Sequence, residues 1–193
     1  MAVSLLTVSL FAQNYHYTER KASSVAYPNQ FLFSPFYFWD GTFMLSYERI
    51  FPSGALRITP SIKLQNIDDK YYSQREGWGL DLGYKFFLSS RPYKVNFYLG
   101  PYALYKNTKV KSRSHQVDDM LMSVAQTYNI LGIGVDTGVK FIFGRFTMDI
   151  SMGGGIRYAY LDGYNYDNSG VDWWEIDYKG IVPRGNISFG VCF

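Results

Sequence analysis

Charged side chains recur at alternate positions in several segments of the sequence, which places them on one face of predicted strands. That face carries both signs of charge. The interior of an eight-stranded barrel is only wide enough for side chains, so opposite charges there would have to neutralise one another. The sequence therefore predicts a polar network inside a barrel, with a narrow proton or ion path as the alternative. Its members are Glu48, Arg57, Lys63, Asp81, Lys85, Asp136, Lys140, Asp149, Arg157 and Arg184.

Catalysis has few candidate residues in this chain, whose only histidines are His16 and His115. Nucleophilic catalysis usually combines a histidine with a nucleophile and an orienting acid. Serine and aspartate residues flank His115, but in no recognisable spacing. We interpret His115 as a surface-loop histidine, and the sequence indicates no catalytic residue. The flanking residues are Ser112, Ser114, Asp118 and Asp119.

The single cysteine, Cys192, excludes an internal disulfide and a cysteine-based zinc cluster. We predict no metal site and no cofactor. The net charge of +3 is too small to indicate a nucleic-acid partner. Cys192 falls on the polar face of its strand, where it is interpreted as a small interior residue.

A basic stretch from Lys106 to His115 contains no acidic residue. On the outer face of a membrane barrel it would contact lipopolysaccharide phosphates or another anionic partner. The alternative is a solvated loop. The basic residues are Lys106, Lys109, Lys111 and Arg113.

The segment from Leu161 to Gly180 combines aromatic and acidic residues. Exposed aromatic clusters suit contacts with protein or glycan, and the acids do not match a calcium-binding EF-hand loop. A self-packed cap on the barrel is the alternative. The aromatic residues are Tyr164, Tyr166, Trp173, Trp174 and Tyr178.

The elements that carry these residues show a period of two from about residue 42 onward. In Ala55 to Asn66, for example, apolar side chains alternate with polar ones, and in Gly77 to Leu88 they alternate with Gly, Asp and Lys. The segments have about the length that a tilted strand needs to cross a bilayer. Short and long connections alternate, which predicts an all-β, eight-stranded antiparallel up-and-down transmembrane barrel with its long loops outside. That topology requires a first strand, for which Phe31 to Phe38 is the candidate.

Two short turns also fix strand registers. A turn at Pro52-Ser53 sets Glu48 opposite Arg57, and a turn at Gly144-Arg145 sets Lys140 opposite Asp149. The long connections are predicted from Asp68 to Glu76, from Asn107 to Gln126 and from Leu161 to Gly180.

Whether the apolar face meets lipid or an internal ligand is a separate question. A soluble lipocalin-like barrel would carry its apolar residues inside. Aromatic residues near strand ends resemble the girdles of membrane barrels, and the apolar last strand ending at Phe193 resembles the signal recognised by the outer-membrane assembly machinery. These features favour the outer membrane. The girdle residues are Trp39, Phe51, Trp78, Tyr105, Tyr128, Phe143, Phe146 and Tyr158.

The amino terminus has the pattern of a signal peptide. Val3 to Phe11 is an apolar run, and Ala12-Gln13 resembles a cleavage point. We predict a signal peptide over residues 1–12, a periplasmic segment over 13–26 and the barrel over 27–193. A buried N-terminal strand or helix is one alternative, and a true start upstream of Met1 is another.

Three segments, GTFMLSYERIF (Gly41 to Phe51), GWGLDLGYKFFL (Gly77 to Leu88) and FYLGPYALYKN (Phe97 to Asn107), resemble small outer-membrane barrels of unknown function common in Bacteroidota. These have the eight-stranded architecture of OmpA and OmpX. The resemblance implies fold and location but no activity. We expect a structural or binding barrel, with an envelope protein complex as a potential partner. A lipid A-modifying enzyme is the alternative.

Overall fold

The computed structural model describes residues 27–66, 72–88, 94–112, 115–117, 120–122, 125–161 and 178–193. The signal peptide and periplasmic segment predicted over residues 1–26 lie outside these ranges.

The described residues form ten β-strands and one 3₁₀ helix. Eight strands close into an antiparallel barrel in the order β1-β10-β9-β8-β5-β4-β3-β2, while β6 and β7 form a separate two-stranded hairpin. Strands that follow one another in the barrel are neighbours in space, as predicted for an up-and-down barrel. The strands are β1 Asn29–Phe33, β2 Thr42–Phe51, β3 Gly54–Asn66, β4 Tyr72–Phe87, β5 Val95–Ser112, β6 His115–Val117, β7 Met120–Met122, β8 Ala125–Phe143, β9 Phe146–Leu161 and β10 Gly180–Cys192, and the 3₁₀ helix is Pro35–Asp40.

The two faces of the barrel wall differ sharply in polarity. Along β3, Leu56, Ile58 and Ile62 are exposed on the outside, whereas Arg57 and Thr59 are buried inside. This orientation is the reverse of a lipocalin-like barrel, in which the apolar residues face inward. Among the described residues, no helix is long and apolar enough to cross a bilayer.

Both predicted registers are confirmed. Phe51 pairs with Gly54, which sets Glu48 opposite Arg57. Phe143 likewise pairs with Phe146, which sets Lys140 opposite Asp149. In the second turn Gly144 has a φ of 63°, a left-handed conformation that glycine adopts without a Cβ clash.

The predicted first strand exists but is shorter than expected. Strand β1 ends at Phe33, and the 3₁₀ helix Pro35–Asp40 replaces the rest of the segment Phe31 to Phe38. Pro35 has no N–H to donate to a neighbouring strand, so the ladder stops there. The helix ends at Gly41, whose φ of 71° turns the chain into β2.

Two of the predicted long loops are wrong in their extent, because the strands continue into them. Strand β4 already begins at Tyr72, and β5 remains paired with β8 up to Lys111 opposite Ala125. The wall of the barrel is therefore taller at this end than the alternating apolar residues indicate. The remaining loop, over residues 162–177, lies outside the described residues.

The end of the barrel that contains the short turns is closed by an apolar cluster. Ile50, Ala55, Phe87 and Tyr98 are buried together inside the wall, and Ile142 packs against them. Ile50 departs from the expected alternation because it contributes to this cluster.

Candidate functional site

All ten residues of the predicted polar network have side chains on the inward-facing side of their strands. The structure divides them by height into a lower cluster, a middle cluster and a set near the open end. Within the described residues, the first two clusters contain equal numbers of acidic and basic groups.

The four charged groups of the lower cluster come from four strands, and two of them are lysines. Lys85 donates from Nζ to Glu48 Oε2 at 2.6 Å and to Asp149 Oδ2 at 2.5 Å. Lys140 donates to the other oxygen of Glu48 and, at 2.8 Å, to Gln30 Oε1. Each carboxylate is thus shared between cations, which compensates its removal from water.

Tyr98 completes the lower cluster. Its hydroxyl donates to Asp149 Oδ1 at 2.7 Å, and the Lys85 ammonium lies 4.6 Å from the centre of its ring. Tyr98 was not assigned to the interior from the sequence, although it is an even-numbered residue of β5, like the inward-facing Asn96 and Gly100. That parity is the signal that could have identified it.

The middle cluster consists of two arginines and two aspartates. Arg57 donates to Asp136 Oδ2 at 3.1 Å, and Arg184 donates to Asp81 Oδ2 at 2.7 Å. Arg184 also lies 3.7 Å from Asp136, which links the two pairs. The guanidinium of Arg184 stacks over Tyr102, 4.4 Å from its ring centre. Tyr102 is a second interior tyrosine that was not predicted from the sequence.

Glycines on β8 make room for these tyrosine rings. A Cβ added to Gly138 would lie 2.6 Å from the Tyr98 hydroxyl oxygen, and one added to Gly134 would lie 2.7 Å from Tyr102 Cζ. The alternating glycines of this strand are thus explained by packing inside the barrel.

Near the open end, Lys63 and Arg157 interact with residues outside the first two clusters. Lys63 donates to Asp40 Oδ2 at 2.9 Å, and Asp40 also accepts from the backbone N–H of Thr42. Burial alone would raise the pKa of Asp40, but these hydrogen bonds and the Lys63 charge outweigh it and hold the pKa below its ordinary value. Arg157 Nε donates to the carbonyl of Tyr178 at 3.1 Å and stacks on its ring.

Up to Ser112, the predicted anion-contacting loop is part of a strand, and its described charges do not share one face. Lys106, Lys109 and Lys111 belong to β5 because the pairing with β8 extends through them. Lys106 points into the barrel and lines two cavities, whereas Lys109 and Lys111 are exposed on the outside. Because successive side chains of a strand point to opposite faces, Lys106 lies on the other side of the wall from Lys109 and Lys111. Arg113 lies outside the described residues.

The aromatic cluster is described only at Tyr178, while Tyr164, Tyr166, Trp173 and Trp174 lie outside the described residues.

The prediction for one girdle residue, Tyr128, is wrong. Tyr128 is buried on the inner face, because the even-numbered residues of β8 point inward. His115 lies on β6 rather than in an irregular loop. No group of three or more His, Cys, Asp or Glu residues in the described ranges could hold a metal ion.

Comparison with known proteins gives one structural likeness. No protein-family model matches the chain, and no curated protein sequence is similar to it. The crystal structure of the N-terminal β-barrel domain of Pseudomonas aeruginosa OprF is similar with a TM-score of 0.42 and 13% sequence identity, over 86% of this chain and 95% of that one.

Proposed function

We propose that this chain is an outer-membrane β-barrel with a structural or binding role, acting alone or as a subunit of a larger envelope complex. The observation that carries the proposal is the polarity of the wall. Apolar side chains cover its outer face, and the ionised groups of the lower and middle clusters lie inside in mutual contact. In water such an outer face would drive aggregation; in lipid it is the required surface.

The packed interior supports binding or structure rather than conduction. Glu48, Lys140 and Asp149 have no solvent-exposed surface, and an apolar cluster lies below them. An ion would have to break paired, desolvated charges to pass. The contacts of these groups with one another also favour a structural over a catalytic role.

Further contacts with the envelope are proposed for three parts of the surface. The exposed ammonium groups of Lys109 and Lys111, high on the outer face, would attract lipopolysaccharide phosphates. The outward apolar side chains of β10 up to Phe193 would provide the signal for the assembly machinery. The aromatic residues of the long loop near Tyr178 would contact an envelope protein.

Fractionation and gel migration test the proposal. Expressed in a Gram-negative cell, the protein should remain in the outer-membrane fraction after carbonate extraction. Without boiling it should migrate faster on SDS gels, since a closed barrel resists the detergent. Release of the full amount by carbonate or salt would contradict membrane insertion. Protease added to intact cells should cut within residues 67–71, 113–124 or 162–177, and cleavage at 52–54 instead would invert the orientation.

A further inference from the structure

The barrel wall has a gap beside β10. Strand β1 has five residues, whereas β10 has thirteen. Their pairing reaches no higher than Phe33 opposite Phe189. Among the described residues, the part of β10 over 180–188 therefore has a strand neighbour on one side only, β9.

The edge of β10 that faces this gap has few backbone groups that need a strand partner. Alternate residues of a strand direct their backbone groups to the same neighbouring strand. Phe193 exchanges hydrogen bonds with Asn29, whereas Cys192 donates towards the β9 side. The odd-numbered residues of β10 therefore direct their backbone groups to the side of the gap. Pro183 is odd-numbered like Phe193, so its backbone faces the gap, and as a proline it has no N–H that would be left unpaired there. The carbonyl of Gly185 accepts a hydrogen bond from the Tyr37 hydroxyl at 2.8 Å. A side chain of the 3₁₀ helix thus replaces part of the missing strand.

A cavity of about 570 Å³ passes through the wall at this gap. It is lined by inward-facing Leu104 and Val182 and also by outward-facing Met152 and Ile156. A single cavity bordered by both faces connects the barrel interior with the outside of the wall. Its volume lies in the range of small-molecule sites, roughly 300–1,000 Å³.

The lower part of the gap, from Ser188 up to Gly185, lies within the apolar belt. Gly185 precedes the chain end at Phe193 by eight residues, which for a tilted strand is about 20 Å along the barrel axis. The outer apolar band of such barrels is about 25 Å tall. A ligand in the gap would therefore contact the hydrocarbon of the outer leaflet.

The inner end of this cavity is cationic. A second cavity of about 180 Å³ adjoins it and shares Lys106, Ile130 and Arg157 with it. Among the described residues, the second cavity is lined by four basic side chains and one carboxylate, that of Asp40, which is paired with Lys63. The two cavities together therefore join an apolar channel to a positively charged chamber.

We propose that these cavities bind a single-chain amphiphile with an anionic headgroup, of the class of long-chain fatty acids. The alkyl chain lies along Leu104 and Val182 towards the gap, and the carboxylate binds at Lys106 and Arg157. One strand position is about 4.8 Å wide, so the gap admits one extended chain rather than several. This inference depends on the proposed membrane location only for the route through the gap.

Native mass spectrometry of the folded barrel, released from micelles of a nonionic detergent, tests the binding. The probes are hexadecanoate, the uncharged hexadecanol and dipalmitoyl phosphatidylglycerol. We expect one hexadecanoate per barrel. Absence of hexadecanoate binding, or binding of the phospholipid in its place, would overturn the proposal.

Two sets of variants locate the bound molecule. Val182→Trp fills the apolar cavity and should reduce binding about tenfold or more, while Val135→Trp makes the same change on the outer face and should not. Ile130→Phe is a second filling variant if Val182→Trp does not fold, as judged by gel migration. Equal binding by the filling variants and Val135→Trp would refute the site.

The headgroup site is tested by the double substitution Lys106→Gln with Arg157→Gln. It should weaken hexadecanoate about tenfold or more and leave hexadecanol unchanged, since charged hydrogen bonds are lost. Arg49→Gln with Lys94→Gln removes two exposed charges elsewhere and is the control. Equal weakening of both probes would contradict the headgroup assignment. Flotation with liposomes measures membrane insertion independently of ligand binding. A failure of the proposed membrane location can therefore be distinguished from a failure of the proposed ligand site.

Discussion

Glu48 and Arg57 lie directly opposite each other on neighbouring strands, yet the carboxylate of Glu48 bonds to Lys85 and Lys140 instead. Arg57 bonds across the barrel to Asp136 on β8. Long side chains that point to a common axis can reach beyond the adjacent strand. The interior ion pairs therefore tie together strands that are not neighbours in the wall, which stabilises the closed shape.

Substituting Glu48→Gln should lower the free energy of unfolding by about 3–5 kcal/mol. The change leaves two buried ammonium groups, those of Lys85 and Lys140, with Asp149 as their remaining carboxylate. Urea unfolding in phospholipid vesicles, followed by tryptophan fluorescence, measures the effect.

Glu76→Gln is the matched control for Glu48→Gln, because Glu76 forms a partly exposed ion pair with Lys111 at 3.6 Å. Its loss should cost about 0–1 kcal/mol. Similar losses in both variants would show that the interior network does not stabilise the barrel.

Gly134→Ala should destabilise the barrel by roughly 1–3 kcal/mol. The added Cβ would lie 2.4 Å from the carbonyl oxygen of Gly154 and 2.7 Å from Tyr102 Cζ, so the backbone or the ring must move. Gly83→Ala is the control, since its Cβ would meet its nearest atom at 3.6 Å, an ordinary contact. The same unfolding assay applies, and an equal stability of the two variants would contradict the packing role of Gly134.

The wall of the barrel could be predicted from the sequence because side-chain direction follows from parity alone. Once the turns at Pro52-Ser53 and Gly144-Arg145 were placed, the registers followed. Parity also placed Glu48 and Lys140 inside. It does not give side-chain reach, so it could not show that Lys85 bridges Glu48 and Asp149 from β4.

The open end was predicted less well, because polar strand extensions look like loops in a sequence. Lys109 and Lys111 are exposed on the upper part of β5, where the strand has no apolar outer face. Only the pairing with β8 shows that this part of the chain is a strand. The gap beside β10 depends on Pro35 stopping β1 early, which alternation cannot reveal. The missed Tyr98 and Tyr102 are large apolar rings on a face expected to be polar.

The Asp40–Lys63 ion pair should make stability pH-dependent in acid. The pKa of Asp40 is lowered in the folded protein, so its contribution is fully present above the unfolded pKa of about 3.9 and is lost as the pH falls through the lower folded value. Because the pair is partly exposed, the contribution is about 1 kcal/mol or less. The difference in unfolding free energy between the native protein and Asp40→Asn should be constant above about pH 5 and shrink below about pH 4. A difference that grows with acidity would contradict this sign.

Leu82→Arg should separate a membrane-embedded barrel from a soluble one. Leu82 is 45% exposed on the outer face of β4, five residues above Phe87, the last residue of that strand at the short-turn end. Five residues of tilted strand correspond to about 12 Å, near the middle of the apolar band. An arginine there should cost about 2–4 kcal/mol in a bilayer.

Leu64→Arg provides the comparison for Leu82→Arg. Leu64 is 70% exposed near the opposite end of β3, ten residues after Gly54. This height corresponds to the membrane–water interface, where the same substitution should cost about 0–1 kcal/mol. Unfolding of both variants in vesicles gives the two costs. On a soluble barrel both arginines would be solvated, and equal small costs at the two heights would therefore exclude the embedded orientation.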